Sequence, residues 1–180
     1  MAARRSAGRD PGGRLISGSF KRAFAPVVDA QTRLLVLGSL PGDASLIAGR
    51  YYAHPRNAFW RLIGRVVGQD LVAIPYPERL EVLKAAGIGL WDVIARGERQ
   101  GSLDAAIRNA EAADLPAMVA TLPALHAIAF NGTLSAHTGR RSLGAQPPWT
   151  LIDLPSSSPA HARPFAEKAE VWDQLAITLR

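Results

Sequence analysis

Four short runs of apolar residues are spaced along the chain, and each ends in a polar or glycine-rich turn. They cover residues 33–39, 89–93, 127–130 and 149–154. Apolar runs of this length between turns are typical of buried strands. Helical patterns separate the runs, and such alternation favours a mainly parallel sheet with helices on both faces. The sequence therefore predicts a single α/β domain, a three-layer sandwich around a four-stranded sheet.

The segments between these runs have helical periodicity or helix end signals. Residues 57–67 place five apolar side chains on one face of a 3.6-residue period, with Asn57 where an N-cap would lie and Gly68 at the end. Asp114 and Ser102 are also candidate N-caps. The other predicted helices cover residues 75–86, 103–110, 114–121, 132–140 and 164–179.

The composition excludes several classes of function. The 180 residues are enough for one domain with a sizeable core. The chain has no cysteine, so disulfides, thiolate metal sites and cysteine nucleophiles are excluded. No apolar stretch reaches the length of a membrane span, and the first residues lack the apolar segment of a signal peptide. We therefore expect a cytoplasmic protein of bacterial type with no membrane partner.

The positive charge is concentrated at the start of the chain. Residues 1–22 hold six basic side chains and one acid, while the whole chain has a net charge of +6. We expect a flexible basic tail over residues 1–19 and one domain over residues 20–180. Such a tail can add affinity for nucleic acid without sequence preference, or it can be a solvated start with no role.

The first predicted strand runs into the turn Gly38-Ser39-Leu40-Pro41-Gly42. In open α/β sheets, ligands bind at the carboxyl ends of the strands. The two glycines permit close approach of the backbone to a ligand. A Walker A phosphate site is excluded because no Gly-Lys-Ser/Thr follows. The turn forms either a ligand pocket or a plain connection between a strand and a helix.

The next segment, residues 51–60, reads Tyr-Tyr-Ala-His-Pro-Arg-Asn-Ala-Phe-Trp. A ring such as that of Tyr52 can stack on a nucleic-acid base. His54 can pair with a phosphate or with a developing anion. Either tyrosine can equally belong to the core, and a histidine before proline is usually structural.

Polar residues also follow the last two predicted strands. Asn131 can offer a donor and an acceptor to the edge of a base, or it can cap the following helix. Ser156, Ser157 and Ser158 suit a phosphate, a base edge or an oxyanion, or form a turn that caps the last helix. A serine hydrolase is a poor fit because the Gly-x-Ser-x-Gly elbow is missing. The four histidines lie too far apart to indicate a metal site.

Together these segments resemble the hypoxanthine-DNA (deoxyinosine) glycosylase family of the uracil-DNA glycosylase superfamily. The resemblance covers roughly residues 20–175, and the motif at residues 51–60 is its most specific part. It is also carried by Leu-Pro-Ser-Ser-Ser-Pro-Ala-His-Ala at residues 154–162 and by the turn at residues 38–42. Shorter matches are Leu-Trp-Asp-Val at residues 90–93 and Gly-Ser-Leu-Asp at residues 101–104.

The chain departs from better-known branches of that superfamily at two positions. In mismatch-specific uracil-DNA and thymine-DNA glycosylases, the first loop carries an asparagine that positions the attacking water. Leu40 stands at that position here, and a leucine cannot orient water. Ser156 stands where the commonest uracil-DNA glycosylases have a histidine, and their acidic residue is missing from its loop. The resemblance then implies that Asn57 is the critical polar residue.

The same resemblance implies roles for the other segments and a DNA partner. Asn57 orients water or the sugar, Tyr52 stacks on the flipped base, and Asn131 reads the edge of that base. The Ser156–Ser158 loop grips phosphates near the lesion. The turn at residues 38–42 and His54 complete the base pocket. Pro159, Ala160, His161 and Arg163 contact DNA. We expect a monomer that needs no metal or nucleotide cofactor.

Three alternatives remain open at this point. One is a glycosylase for uracil or for mismatches, because the preferred deaminated base depends on donor positions within the pocket. Another is a protein of the same fold that binds lesions without catalysis, since Leu40 and Ser156 replace polar residues. The third is a hydrolase of free nucleosides, although the arginines near residues 50–65 favour a polymer.

Overall fold

The computed structural model describes residues 20–179, and the predicted basic tail over residues 1–19 lies outside the described residues. The strands are β1 (Phe20–Arg22), β2 (Leu34–Gly38), β3 (Ile88–Asp92), β4 (Ile94–Arg99), β5 (Ile107–Ala112), β6 (Ala127–Asn131) and β7 (Thr150–Leu154). The α-helices are α1 (Asp43–Ala48), α2 (Phe59–Val67), α3 (Tyr76–Ala85), α4 (Leu115–Val119), α5 (Thr133–Leu143) and α6 (Phe165–Asp173), and α6 continues as a 3-10 helix, Gln174–Leu179.

The four predicted apolar runs form one parallel sheet in the order β3-β2-β6-β7. The register pairs Gly38 with Asp92 and Asn131 with Leu154, so all four strands end at the same edge. The two central strands, β2 and β6, are buried along their whole length. The predicted fold class is confirmed, with strand ends that differ from the predicted ones by at most one residue.

The core is divided between the two faces of this sheet. Along β2, Leu34 and Val36 pack against α2, α3 and α6, whereas Leu35 and Leu37 pack against α4 and α5. Side chains alternate between faces along a strand, so a continuous apolar run is expected only where both faces are covered. The helix layers explain why the central strands β2 and β6 contain only one polar side chain, that of Asn131.

A second sheet, which the sequence analysis does not predict, lies beside the first. It is antiparallel, in the order β1-β4-β5. The helix expected at residues 103–110 is wrong: Asp104–Ala106 forms one 3-10 turn, and the chain then enters the exposed edge strand β5. The alanines, Leu103 and Arg108 in this segment favour a helix locally, but pairing with β4 overrides that weak preference.

The helix ends also differ in places from the expected ones. Asp114 caps α4, as predicted, by accepting a hydrogen bond from the Ala117 N–H at 3.1 Å. Helix α2 begins two residues later than predicted, with Ala58 at the N-cap. The short helix α1 is an addition to the predicted elements. Among residues 20–179, no helix combines the length and the apolar character that crossing a membrane requires.

Candidate active site

The carboxyl ends of the four parallel strands open into one cavity of about 750 Å³. It is lined by the turn after β2, by the segment before α2, and by the residues that end β3, β6 and β7. Every residue that the sequence analysis assigns to the base pocket lines it. So do Asn57 and, among the residues assigned to DNA contact, Ser156, Ser157, Ser158, Pro159, Ala160 and His161. Arg163 does not line it.

The turn after β2 is held from behind by the second sheet. Arg99 of β4 is buried, and its guanidinium donates hydrogen bonds to the carbonyl oxygens of Leu40 (2.9 Å) and Pro41. Ser39 donates through its hydroxyl to Asp104 Oδ1 at 2.6 Å, and Arg99 pairs with the same oxygen at 3.3 Å. The Leu40 side chain packs into the core. The turn therefore presents a fixed backbone and no polar group at residue 40.

The two tyrosines before α2 have different surroundings. Tyr51 is buried and donates to the Ala25 carbonyl oxygen, so it belongs to the core. Tyr52 lines the cavity, with its ring stacked on Phe59 at a centroid distance of 3.7 Å and an angle of 12°. Its φ of +53° is unusual for a bulky residue. Because Phe59 covers one face, only the opposite face is left for a base.

Asn57 is fixed by the start of α2. Its Oδ1 accepts a hydrogen bond from the Phe59 N–H at 2.9 Å, and its backbone N–H donates to the His54 carbonyl oxygen at 2.8 Å. The side chain therefore caps the helix from one position further out than predicted, and it also lines the cavity. His54 lines the same wall, and its Nδ1 accepts from the Arg56 N–H at 3.1 Å.

Asn131 and Ser157 join the ends of β6 and β7. Asn131 Nδ2 donates to Ser157 Oγ, and the Ser157 N–H donates to Asn131 Oδ1, both at 2.8 Å. The Ser157 carbonyl oxygen accepts from the Ala58 N–H at 3.0 Å. Gly132 has a φ of +101°, and a Cβ there would meet Ser156 at 3.1 Å. Ser157 thereby connects three segments: the end of β6, the start of α2 and its own loop after β7.

These bonds limit what two of these residues can offer a ligand. Ser157 is only 1 % exposed and its Oγ accepts from Asn131, so the hydroxyl that the sequence analysis assigns to phosphate contact has only its O–H left to donate. Asn131 uses both ends of its amide to hold Ser157, which leaves one N–H for a ligand. Within this loop, the residues exposed at the rim are Pro159, Ala160 and His161.

The basic side chains near the site are largely engaged with other groups. Arg163 pairs with Glu167 at 3.2 Å on the surface of α6. Arg65 pairs with Asp173, and Arg61 lies 4.0 Å from the Phe165 ring centroid. Lys168 is buried and donates to the Ser158 carbonyl oxygen at 3.2 Å, and burial lowers its pKa. Lys168 thus supports the serine loop from below.

Asp92, at the end of β3, is a cavity residue that the sequence analysis does not assign to the site. It is 4 % exposed and lies against Gly38, where a Cβ would be 2.5 Å from Asp92 Oδ1. Burial raises the pKa of this carboxyl to about 7; the Arg99 guanidinium opposes that rise and the Asp104 carboxylate adds to it. Asp92 is therefore an acid that changes protonation near neutral pH.

Arg99, Ser102 and Asp104 are also missing from the predicted site, because they come from the second sheet and its 3-10 turn. Ser102 Oγ accepts from the Asp43 N–H at 3.4 Å. The motifs at residues 90–93 and 101–104, which carry part of the family resemblance, contain Asp92, Ser102 and Asp104. Those matches were the available signal for three of the four residues.

Comparison with known proteins gives consistent results. The profile of the uracil DNA glycosylase superfamily matches residues 25–176. A hypoxanthine DNA glycosylase of Methanosarcina barkeri is 42 % identical over 154 residues, which span 84 % of this chain and 95 % of that protein. A protein of the same name from Methanosarcina acetivorans is 39 % identical over 157 residues, covering 86 % of this chain and 97 % of its own length.

A solved structure agrees with these sequence matches. It is the solution NMR structure of a Methanosarcina acetivorans protein provisionally named a uracil DNA glycosylase, with a TM-score of 0.78 and 37 % identity. The similarity covers 89 % of this chain and 98 % of that one. The family resemblance that the sequence motifs indicate is confirmed.

Proposed function

The chain belongs to the uracil DNA glycosylase superfamily, and we propose that it removes hypoxanthine from deoxyinosine in DNA and leaves an abasic site. The observation that carries the proposal is the cavity at the carboxyl edge of the parallel sheet, where Asn57, Tyr52 and Asn131 meet. A volume of about 750 Å³ is ample for a purine and its sugar. The two relatives named hypoxanthine DNA glycosylases support this choice of base.

A base inside a duplex cannot reach this cavity unless it is extruded. Flipping costs a few kcal/mol, and it costs least for a base that pairs poorly, such as a deaminated one. The exposed residues Pro159, Ala160 and His161 at the rim are placed to contact the DNA around the flipped nucleotide. The proposed selectivity thus begins with the weak pairing of the lesion.

Within the cavity, the proposed roles follow from how each side chain is held. The free face of Tyr52 stacks on the base, because Phe59 covers the other face. The remaining N–H of Asn131 binds an acceptor on the base edge. Asn57, held in one orientation by the Phe59 N–H, orients the attacking water or the sugar. The fixed backbone of residues 38–42 forms another wall of the cavity around the base.

Hydrolysis of the glycosidic bond proceeds through a sugar with oxocarbenium character and an anionic leaving base. Catalysis then requires preorganised groups that stabilise the developing charges in a site shielded from water. Leu40 contributes no polar group, so the polar residues around it must stabilise the developing charges. We further propose that one copy acts on each lesion in the cytoplasm, since all the residues with proposed roles in the reaction line one cavity of one chain.

A cleavage assay tests the proposed reaction directly. Matched duplexes containing one deoxyinosine, deoxyuridine or deoxyxanthosine are incubated with the protein and then treated with alkali to break abasic sites. We expect cleavage of the deoxyinosine strand. Cleavage of the deoxyuridine strand alone would replace the substrate, and tight binding without cleavage would favour a protein that only recognises lesions. Competition by unlabelled DNA, but not by free inosine, would exclude a nucleoside hydrolase.

Asn57→Ala tests the central residue. We expect base release to slow by roughly 100-fold or more, because an oriented polar group in the transition state is lost. DNA affinity should stay within a few-fold of wild type, and the lost helix cap should cost about 1 kcal/mol of unfolding free energy. Asn109→Gly, on the exposed edge strand, is the matched control and should retain full activity. Full activity of Asn57→Ala would overturn the assignment.

A further inference from the structure

The floor of the cavity carries a buried carboxyl group that none of the proposed roles uses. Asp92 ends β3 directly opposite Gly38, the last residue of β2. The absence of a side chain at residue 38 lets Asp92 and the Tyr52 hydroxyl approach that backbone, since a Cβ there would lie 2.5 Å from Asp92 Oδ1 and 3.0 Å from Tyr52 Oη. The carboxyl group therefore lies beside the ring that we propose stacks on the base.

Two polar atoms at this floor lack the hydrogen bonds that buried groups normally make. Asp92 Oδ2 has no partner among residues 20–179. Tyr52 Oη is also buried and makes no hydrogen bond of normal geometry within that part of the chain, although the Asn131 amide lies close by. A buried polar atom without a partner is uncommon and costs stability. Its presence in a ligand cavity indicates that a ligand supplies the partner.

The charged and titratable groups around Asp92 come from three elements. Tyr51 and Tyr52 face it from the segment before α2, Arg99 from β4, and Asp104 from the 3-10 turn. Burial has the largest effect on the Asp92 pKa and outweighs the opposing effect of Arg99, which also donates to the carbonyl oxygens of Leu40 and Pro41 and pairs with Asp104. The carboxyl of Asp92 is thereby kept neutral up to about neutral pH, when it carries a proton that it can donate.

We infer that Asp92 is the general acid of this site, which gives its proton to a ring nitrogen or carbonyl oxygen of the departing base. The inference rests on the proposed glycosylase reaction and deepens it. A purine leaves poorly as an anion, and proton donation in the transition state removes that charge. Leu40 cannot act on the attacking water. Asp92 instead acts on the base, so catalysis at this site helps the leaving group to depart from the glycosidic bond.

The proposed step balances as follows. The C1′–N9 bond breaks, and its electron pair goes to the base, which takes the proton of Asp92 and leaves as neutral hypoxanthine. The oxygen of water, oriented by Asn57, forms a bond to C1′. The proton that this water loses passes to solvent or to the Asp92 carboxylate, which restores the acid. One water is consumed, and no oxidant, reductant or metal takes part.

The test compares wild type with Asp92→Asn, which keeps the shape of the side chain but cannot give up a proton. Base release from a deoxyinosine duplex is measured in single turnovers between pH 5 and pH 9. We expect the wild-type rate to fall as pH rises through about 7, and the variant to be slower by roughly 100-fold or more at pH 6. Its residual rate should lack that fall, although His54, His137 and His161 still line the cavity.

A second readout measures whether Asp92 titrates in the folded protein without depending on catalysis. The pKa of Asp92 is higher in the folded protein than in the unfolded chain, so protonation favours the folded state. The unfolding midpoint of wild type should fall as pH rises from about 4 to about 7, and that part of the fall should be missing in Asp92→Asn. Asp153→Asn, an exposed aspartate of β7 outside the cavity, is the control and should behave as wild type.

Each remaining outcome decides between the two proposals. Wild type that releases no base from any lesion strand contradicts the glycosylase reaction and the general acid together. Wild type that releases hypoxanthine, with Asp92→Asn within threefold of it or with the same fall of rate against pH, contradicts only the general acid. A folded variant that is slow and lacks the fall supports both.

Discussion

The two sheets of this protein contribute to the cavity in different ways. The parallel sheet β3-β2-β6-β7 is buried between helix layers and supplies the groups that face a ligand, such as Asp92 and Asn131. The antiparallel sheet β1-β4-β5 is largely exposed along β5 and supplies two buried cations. Lys21 of β1 pairs with Asp43 of α1 at 2.6 Å and donates to the Gly101 carbonyl oxygen, and Arg99 binds the turn after β2.

The parallel sheet thus supplies the side chains that line the cavity, whereas the antiparallel sheet supports the turn beside them. A parallel sheet brings all its strand ends to one edge, and so it gathers residues that are distant in sequence around one ligand. The turn after β2, however, exposes carbonyl oxygens that need donors, and the strand ends do not provide them. The second sheet provides those donors, which makes it part of the active-site architecture without a place in the proposed chemistry. Substitutions at residues 99 and 38 test this division and one at residue 163 tests the surface outside both sheets, in order of expected effect.

Arg99→Met should have the largest effect on stability. It leaves the carbonyl oxygens of Leu40 and Pro41 without their donor and Asp104 with only the Ser39 hydroxyl as a partner among residues 20–179. We expect a loss of about 2–5 kcal/mol in unfolding free energy, because two buried carbonyl oxygens each lose a donor at about 1–3 kcal/mol, and reduced base release because the turn loosens. Denaturant unfolding measures the first and the deoxyinosine assay the second.

Arg96→Met, on the same strand, is the matched control. Its guanidinium pairs with Glu111 at the surface, and such pairs contribute about 0–1 kcal/mol. If the two variants were equally stable and equally active, the second sheet would have no supporting role at the turn.

Gly38→Ala and Gly97→Ala compare the close packing of the two sheets with one added methyl group each. At residue 38 the new Cβ would lie 2.5 Å from Asp92 Oδ1, so Asp92 or the strand must shift. We expect a loss of about 1–3 kcal/mol and a strong loss of activity. At residue 97 the nearest atoms lie at 3.4 Å, an ordinary contact, and we expect little change. Thermal unfolding and base release measure both, and a milder effect at residue 38 would contradict the tight contact.

Arg163→Ala should have the smallest effect, confined to DNA binding. Arg163 lies outside the cavity and pairs only locally with Glu167, so we expect a change in stability below about 0.5 kcal/mol. If it contacts a phosphate, the slope of log affinity against log salt should decrease by about 1. Lys84→Ala, just before the amino end of β3 and so far from the cavity edge, is the control. Equal salt slopes for both variants and wild type would show that Arg163 does not contact a DNA phosphate.

The largest error of the sequence analysis lies in the second sheet. Residues 103–110 contain good helix formers, and nothing local indicates that Ile107–Ala112 pairs with Ile94–Arg99. An exposed edge strand has no continuous apolar run, because only one side of it contacts the protein. Its partner also contains Arg96, Glu98 and Arg99, which interrupt any apolar pattern. The pairing of two such strands depends on tertiary contacts that local patterns do not encode.

The sequence by itself determined the parallel sheet and the set of loops at its edge. Strands buried on both faces must be apolar throughout, and polar residues at their ends must then meet at one edge, so pattern located Asn131 and the turn at residues 38–42. The role expected of Asn57 came from the family resemblance. Only the tertiary structure decided what each polar group contacts. It engaged Asn131 with Ser157, covered one face of Tyr52 with Phe59, and placed Asp92 in a desolvated position against Gly38. Burial and hydrogen-bond partners are properties of the packed molecule, and they determine which of several polar residues remains available for chemistry.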